Sequence, residues 1–499
     1  MAWLTFLWPA GRKCPQPASF LHSGQPGLAG SRIGLQLCPP SRALLLQPHP
    51  QVGRRQGAST ALGPFHQPQA AVVGIEAELV GGECPYWGCI PTKMMIRAAD
   101  ALTEGRRIAE LAGTAQVSPD WSLVARRIRE EATDNWNDQV AVDRLTGKGV
   151  RFVRGRARIL SPTQVEVPDV GTFSARRALV VTTGTTSAVP PIPGLDDTPY
   201  WTSRHTITAE QLPADLAIIG AGAIGTEIGQ AWSRFGVKVT LLDAAPHPLP
   251  QEEPESGDLL ASVLEAEGLA LRLGVGIAAV SHDGHRFAVE LADGGTVQAA
   301  ELLVATGRRP TLDAEAWANL GLSGKPGTLP TDDQLKVADG VWAAGDITGH
   351  GAFTHMATYQ ADIVTRSVLG RPGPSADYRA VPRVAFTDPE IGAVGLTEKQ
   401  AREAGYRVRT GSGQIPATSR GWIHKVGNEG FIKLVADVDA DVLLGATSAG
   451  PNGGEVLGAL AVAVHARVPI SALESMIYAY PTFHRGISDA VRALRASTD

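Results

Sequence analysis

Cysteine is scarce in this chain: four residues in 499, at positions 14, 38, 84 and 89. So few cannot form a disulfide framework in a protein of this size, and they favour a reducing compartment, so the cytosol is the expected location. An excess of positive charge is lacking too. Lys and Arg number 45 against 50 Asp and Glu, a formal net charge of −5, whereas a nucleic-acid binder needs basic surface to displace phosphate counterions. No apolar run approaches the ~20 residues that span a bilayer. Neither nucleic acid nor membrane is therefore an expected partner. In the opening MAWLTFLWPAGRK the basic residues follow the apolar stretch, the reverse of a secretory signal. The most telling lack is local: no Asp or Glu precedes Glu76. Residues 1 to about 70 scatter Pro, Gly, Gln, Ser and Arg without strand or helix periodicity. Such a segment has little to bury and is expected to be disordered; a transit peptide shares its lack of acidic residues.

What is present is the composition of a globular protein, 43% hydrophobic and 19% charged. Its length exceeds one ordinary core and suggests about three domains. From Ala71 the text alternates strands and helices. AAVVGIEAE reads as a strand and Thr92 to Leu111 as a helix, with short strands near Val150–Val153 and Leu179–Thr182. A strand, glycine turn, helix and strand run from Leu216 to Asp243, followed by ELLVATG and by VWAAGD at 341–346. That alternation predicts an α/β fold of doubly wound domains with parallel sheets. After RPGPSAD at 371–377 the pattern becomes α+β, with strands near VAF and FIKLV and two late helices. A third domain is expected from about Ser375.

The most informative stretch is GGECPYWGCIPTK, Gly81 to Lys93, with Cys84 and Cys89 separated by four residues. Pro91 suits the first turn of a helix. A helix N-terminus stabilises a thiolate, so one or both sulfurs are candidates for activation. Half of a zinc site and two inert buried thiols are the competing readings. Zinc needs further ligands, and the other cysteines lie in the atypical N-terminal segment.

A second motif, LAIIGAGAIGTEIGQ, places Gly220, Gly222 and Gly225 between an apolar strand and a helix. Glycines there allow a tight turn, close approach of a pyrophosphate and close packing of helix on strand. Asp243 ends the next strand, where a carboxylate suits the ribose hydroxyls of NAD and repels a 2′-phosphate. The following Ala-Ala-Pro-His offers no arginine, although His247 leaves NADP open.

GGxCxxxGCIPxK resembles the redox-disulfide signature of the pyridine nucleotide–disulfide oxidoreductases, the family of dihydrolipoamide dehydrogenase, glutathione reductase and mercuric reductase. The resemblance runs from about Ala71 to the C-terminus. It implies an FAD-dependent NAD(P)H enzyme and a homodimer. Cys84 would be the thiol that attacks substrate, and Cys89 the thiol stacked against the flavin. Glu227, which closes the GxGxxGxE form of the glycine turn, would pair with Lys93 beside the flavin ring. Glu76 would bind the adenosine ribose of FAD and Asp346 its ribityl chain. Ala352, Phe353, Thr354 and His355 would approach the isoalloxazine, and Gly184 and Gly307 would lie at the turns of two crossing strands. The implied domains are an FAD-binding domain (71–190 and 304–374), an NAD(P)-binding domain (191–303) and a dimerisation domain (375–499).

Two departures accompany the resemblance. The strand, glycine turn and helix that should hold the ADP half of FAD are missing from the residues before Gly81, so the FAD domain is incomplete. The expectation is that residues 1 to about 70 are translated out of frame; an added targeting segment and genuine degeneration are the alternatives. The family's HPTxxE, which supplies a histidine base and its carboxylate from the partner subunit, reads here YPTFHR. Tyr480 stands for the histidine and Arg485 for the glutamate. A phenol with an unperturbed pKa near ~10 cannot take up a thiol proton at neutral pH as imidazole does. His484 is a candidate substitute, with a helix-surface role the simpler reading. The leading expectation is electron exchange between a nicotinamide, FAD, the Cys84–Cys89 pair and a small disulfide or dithiol. A diaphorase-like reductase of quinones or metal ions is the second, and an inactive remnant the third.

Overall fold

The computed structural model describes residues 4–8 and 71–497. Its frame is a mixed six-stranded sheet, a parallel four-stranded sheet and a five-stranded antiparallel sheet. The first has six strands in the order Lys336–Ala338, Val341–Ala343, Leu179–Val181, Leu4–Trp8, Ala71–Glu76, Arg151–Arg154. Ala71–Glu76 runs parallel to Arg151–Arg154, and Val341–Ala343 parallel to Leu179–Val181. The second sheet is wholly parallel: Ala270–Leu273, Lys238–Asp243, Asp215–Ile219, Glu301–Val304. Strands buried on both faces read as continuous apolar runs, and Leu216–Ile219 is such a run, at most 4% exposed. The doubly wound expectation holds.

The strand Leu4–Trp8 corrects the reading of the N-terminal segment as free of regular structure. It fills the slot between Ala71–Glu76 and Leu179–Val181, antiparallel to both. Two unpaired strand edges facing each other leave a row of unsatisfied backbone groups, and the apolar LTFLW can pair with both. Direction matters here, because a parallel strand in this slot could feed a glycine turn and a helix, whereas this one runs the other way. The expectation of disorder for residues 9–70 lies outside the described residues.

The third unit is a five-stranded antiparallel sheet, ordered Pro382–Ala385, Glu390–Gly395, Val442–Gly450, Phe431–Asp437, Val408–Gln414. Leu457, Leu460 and Val464 of the helix Gly453–His465 share one apolar cluster with Ile432 and Leu434 of the sheet and with Ile487, Val491 and Leu494 of the helix Gly486–Ala496. A short third helix, Ile470–Ser475, lies between the two long ones, so the late segment holds one helix more than expected. No described helix is long and apolar enough to cross a membrane.

Two long-range ties fix these units around the site. Arg234, 3% exposed at the end of the helix Ala223–Arg234, pairs with Asp100 at 2.7 Å, Glu267 at 2.6 Å and Asp388 at 2.8 Å. The crossing strands Thr185–Ser187 and Arg308–Pro310 pair antiparallel, with Gly184 and Gly307 in the left-handed region at φ 66° and 116°.

Candidate active site

The redox motif folds as two helical pieces joined at a glycine. Glu83–Tyr86 forms one turn after Gly81 and Gly82, which take φ of 130° and 77°. A Cβ on Gly81 would meet the Tyr86 ring at 2.9 Å, so a side chain there would displace the turn that carries Cys84. After Gly88 the long helix Cys89–Leu111 begins with the second cysteine. Cys89 Sγ lies 3.6 Å from Thr354 Oγ1, and Thr354 opens the helix Thr354–Leu369. The sulfur therefore sits where two helix N-termini converge, both of which favour negative charge. Its thiol is lowered to about 6, first by a hydrogen bond with Cys84 and then by Thr354 and the charge of Lys93, against the opposing effect of burial. Cys84 moves the other way, pushed up by its bond to Cys89 and by burial. The two thiols are therefore unequal, with Cys89 the readier of the pair to ionise.

One turn along the same helix, Lys93 Nζ meets Glu227 Oε2 at 2.6 Å. The other oxygen of Glu227 accepts the Phe386 N–H at 2.8 Å, and the Lys93 ammonium lies 4.5 Å from the centroid of the Phe386 ring. A buried charge pair is sustainable when its remaining lone pairs are hydrogen-bonded, and Phe386 completes this one. Cys84, Cys89, Lys93, Glu227, Gly184, Asp346, Ala352, Phe353, Thr354 and His355 all line one cavity of about 770 Å³. The expected residues near the thiols are thus brought together.

Further out, Asp346 accepts from Thr185 Oγ1 at 2.8 Å. Glu76 is fully buried; one oxygen accepts the Glu78 N–H at 2.8 Å and Oε2 has no partner. Burial raises its carboxyl to about 7, against that backbone bond. A buried acceptor without a donor is costly, and a ligand hydroxyl such as that of a ribose would satisfy it. The residues present fit FAD at its ring, ribityl and ribose ends. At the pyrophosphate end the described residues do not, since no glycine turn and helix follow a strand beside Ala71–Glu76.

The glycine turn at Gly220–Gly225 is intact. A Cβ on Gly220 would strike Ala305 O at 2.5 Å, one on Gly225 would strike Gly220 O, and one on Gly222 would meet open space. The first two glycines permit the tight crossing of strand and helix; Gly222, capping the helix, leaves room for a ligand. Asp243 accepts the Ala221 N–H at 2.7 Å and the Ala245 N–H at 2.8 Å, which pins its carboxylate against the turn.

Tyr480 and His484 do not line this cavity. Tyr480 is 69% exposed, with the Arg485 guanidinium 5.9 Å from its ring centroid. His484 belongs to the 3-10 helical turn Phe483–Arg485, half-buried beside the Tyr478 ring at 5.2 Å. Sequence reasoning missed Phe386, Arg204 and Trp136. The Arg204 guanidinium lies 5.1 Å from the Trp87 ring centroid, and Trp136 stacks on Trp87 at 5.8 Å. A tryptophan between the two cysteines was the one available signal.

Comparison with known proteins agrees with this geometry. Residues 56–361 match the family profile described as pyridine nucleotide-disulphide oxidoreductase, and residues 381–491 match its dimerisation domain. A mercuric reductase of Bacillus cereus is 31% identical over 429 residues, covering 85% of this chain and 67% of that protein. A dihydrolipoyl dehydrogenase of Thermus scotoductus is 33% identical over 439 residues, covering 85% and 92%. Among solved structures, the HOCl-induced flavoprotein disulfide reductase RclA from Escherichia coli superposes with a TM-score of 0.73 at 27% identity, covering 84% of this chain and 93% of that one.

Proposed function

The chain belongs to the pyridine nucleotide-disulphide oxidoreductase family, and from that premise we propose that its Cys84–Cys89 pair reduces or oxidises a small disulfide or dithiol, with NAD(H) preferred to NADP(H). FAD-dependent NAD(P)H disulfide oxidoreduction is the activity of the family and of this enzyme. The observation that carries the proposal is the unequal thiol pair: Cys89 lowered at two converging helix N-termini, Cys84 raised beside it. When bound, FAD supplies two-electron relay between a nicotinamide and sulfur.

The chain's own residues do the rest. Lys93, paired with Glu227, places a positive charge beside the cavity and favours the Cys89 thiolate. Thr354 offers its hydroxyl to the same sulfur. Cys84 is the thiol that meets substrate, and the proton it must lose can pass to Cys89 through the bond they share. Glu76, Asp346 and the segment Ala352–His355 would hold FAD, and Gly222 with Asp243 would hold NAD. A homodimer through residues 375–499, presenting Tyr480 and His484 to the partner subunit, and a cytosolic location belong to the same proposal.

A second reading, NAD(P)H-dependent reduction of quinones, dyes or metal ions, is favoured by Tyr480 standing where the family has a histidine base. Cys84→Ser separates the two in flavin-loaded protein. Disulfide reduction should disappear while dye reduction persists, and disulfide turnover that survives Cys84→Ser would overturn the primary proposal.

A further inference from the structure

Trp87 lies in the loop between the two cysteines and lines the cavity that contains both of them. Its indole N–H is buried without an acceptor, as is that of Trp136, so ring contacts hold these side chains in place of hydrogen bonds. Trp136 stacks on Trp87 at 5.8 Å with 24° between planes. The Arg204 guanidinium sits 5.1 Å from the Trp87 centroid and is itself fixed by Glu78 at 3.1 Å and Glu83 at 2.9 Å. The backbone that presents Trp136 is strained. A π-helical turn, Ile128–Ala132, is followed by Asp134, Asn135 and Trp136 at φ of 53°, 55° and 55°. Each non-glycine residue in that region costs on the order of 1–3 kcal/mol and persists where the surroundings require it, commonly at functional sites.

The charges around the thiols are equally fixed. The cavity is lined by three cations, and each is committed: Lys93 to Glu227, Arg308 to Glu83 at 3.5 Å, and Arg383 to Glu252 at 2.7 Å. His355, bonded to Pro382 O, is lowered by burial. Among the described residues, no cation on this wall is free to receive a substrate carboxylate. We propose that Trp87, backed by Trp136 and Arg204, determines the specificity of the thiol pair, admitting compact uncharged disulfides and disfavouring anionic ones. The inference rests on the disulfide reading above.

In the forward direction Cys84 passes its proton to Cys89 through the bond they share and attacks one sulfur of R–S–S–R, giving a Cys84–S–S–R mixed disulfide and RS⁻, which leaves as the thiolate. Cys89 then attacks Cys84, forming the Cys84–Cys89 disulfide and expelling the second RS⁻, which takes the proton of the Cys89 thiol. Two electrons pass from the dithiol to substrate, and NAD(P)H restores them through the established activity.

The half-reaction can be read without added nicotinamide. The protein is reduced with a phosphine, freed of it, and mixed with excess bis(2-hydroxyethyl) disulfide or with its dianionic analogue 3,3′-dithiodipropionate. Oxidation of the Cys84–Cys89 peptide is followed by acid quench, alkylation and mass spectrometry, and both rates are divided by those of free dithiothreitol. The neutral disulfide should be favoured by about tenfold. Trp87→Val should abolish most of that ratio, Trp87→Phe should keep most of it, and Trp136→Leu should fall between. A normalised ratio near one in the unaltered protein, or an unchanged ratio in Trp87→Val, overturns the inference and leaves the disulfide reading standing. Failure of the peptide to oxidise with either compound overturns both.

Discussion

Lys93 Nζ and Glu227 Oε2 meet at 2.6 Å, although the two residues are 134 positions apart. They are unequally covered, 33% and 7% exposed, so removing one partner differs from removing the other. Lys93→Met leaves a buried carboxylate held only by the Phe386 N–H. It should destabilise the fold by about 1–3 kcal/mol, less than the ~3–5 kcal/mol of a fully buried pair because Lys93 is partly solvated. Glu227→Gln keeps a polar group against Phe386 N and should cost less. Thermal unfolding of both variants orders the two effects; an equal or reversed order contradicts this account of the pair.

Alkylation should distinguish the thiols. Cys89 is lowered to about 6, so its thiolate is present above that pH and lost as pH falls through it. Iodoacetamide should label Cys89 half-maximally near pH 6 and Cys84 slowly even at pH 9. Thr354→Val removes one of the groups that lower Cys89 and should move its titration upward. Peptide mapping across pH 5–9 checks both, and faster labelling of Cys84 than of Cys89 at neutral pH would reverse the assignment.

Glu76 carries a pH-dependent cost. Its carboxyl stands at about 7 instead of 4.5, so the folded chain binds this proton more tightly than the unfolded one. The associated stability is present below pH 4.5 and is lost as pH rises through 7. At ~1.4 kcal/mol per pKa unit the loss is roughly 3 kcal/mol. Glu76→Gln should therefore be more stable than the parent at pH 8 and show a flatter profile between pH 4.5 and 7. Urea unfolding at a series of pH values measures this; coincident profiles would show that Glu76 is not buried uncompensated.

Nucleotide choice should favour NADH. Both oxygens of Asp243 are fixed by backbone N–H groups of the turn, and in the proposed NAD site this carboxylate would repel a 2′-phosphate. Asp243→Asn should narrow the preference by about tenfold in steady-state kinetics. A parent enzyme that prefers NADPH would discard this account.

The strand–glycine–helix units and the cysteine helix were legible because their signals are local: apolar runs, turn glycines and a proline in the first helical turn. Gly220, Gly222 and Gly225 occupy the turn their spacing implied, and Lys93 meets Glu227 as the resemblance indicated. Phe386 was not legible, because it contributes a backbone N–H and a ring face from a distant strand end, and neither has a sequence signature. Trp136 escaped for a related reason: its position depends on a π-helical turn and three left-handed residues that no periodicity announces. Leu4–Trp8 was hidden by its composition. Four apolar residues and a threonine in a segment without acidic groups looked structureless, and only the slot between two separate strands gives them a place.

The three ion pairs of Arg234 bear on how this molecule can move. One guanidinium ties the cysteine helix through Asp100, the parallel sheet's neighbourhood through Glu267 and the antiparallel unit through Asp388. Swinging any one of these bodies away from the others would break contacts to a side chain that is 3% exposed. The frame is thereby keyed like an arch: a hinge between these bodies would first have to pull that one side chain away from a carboxylate.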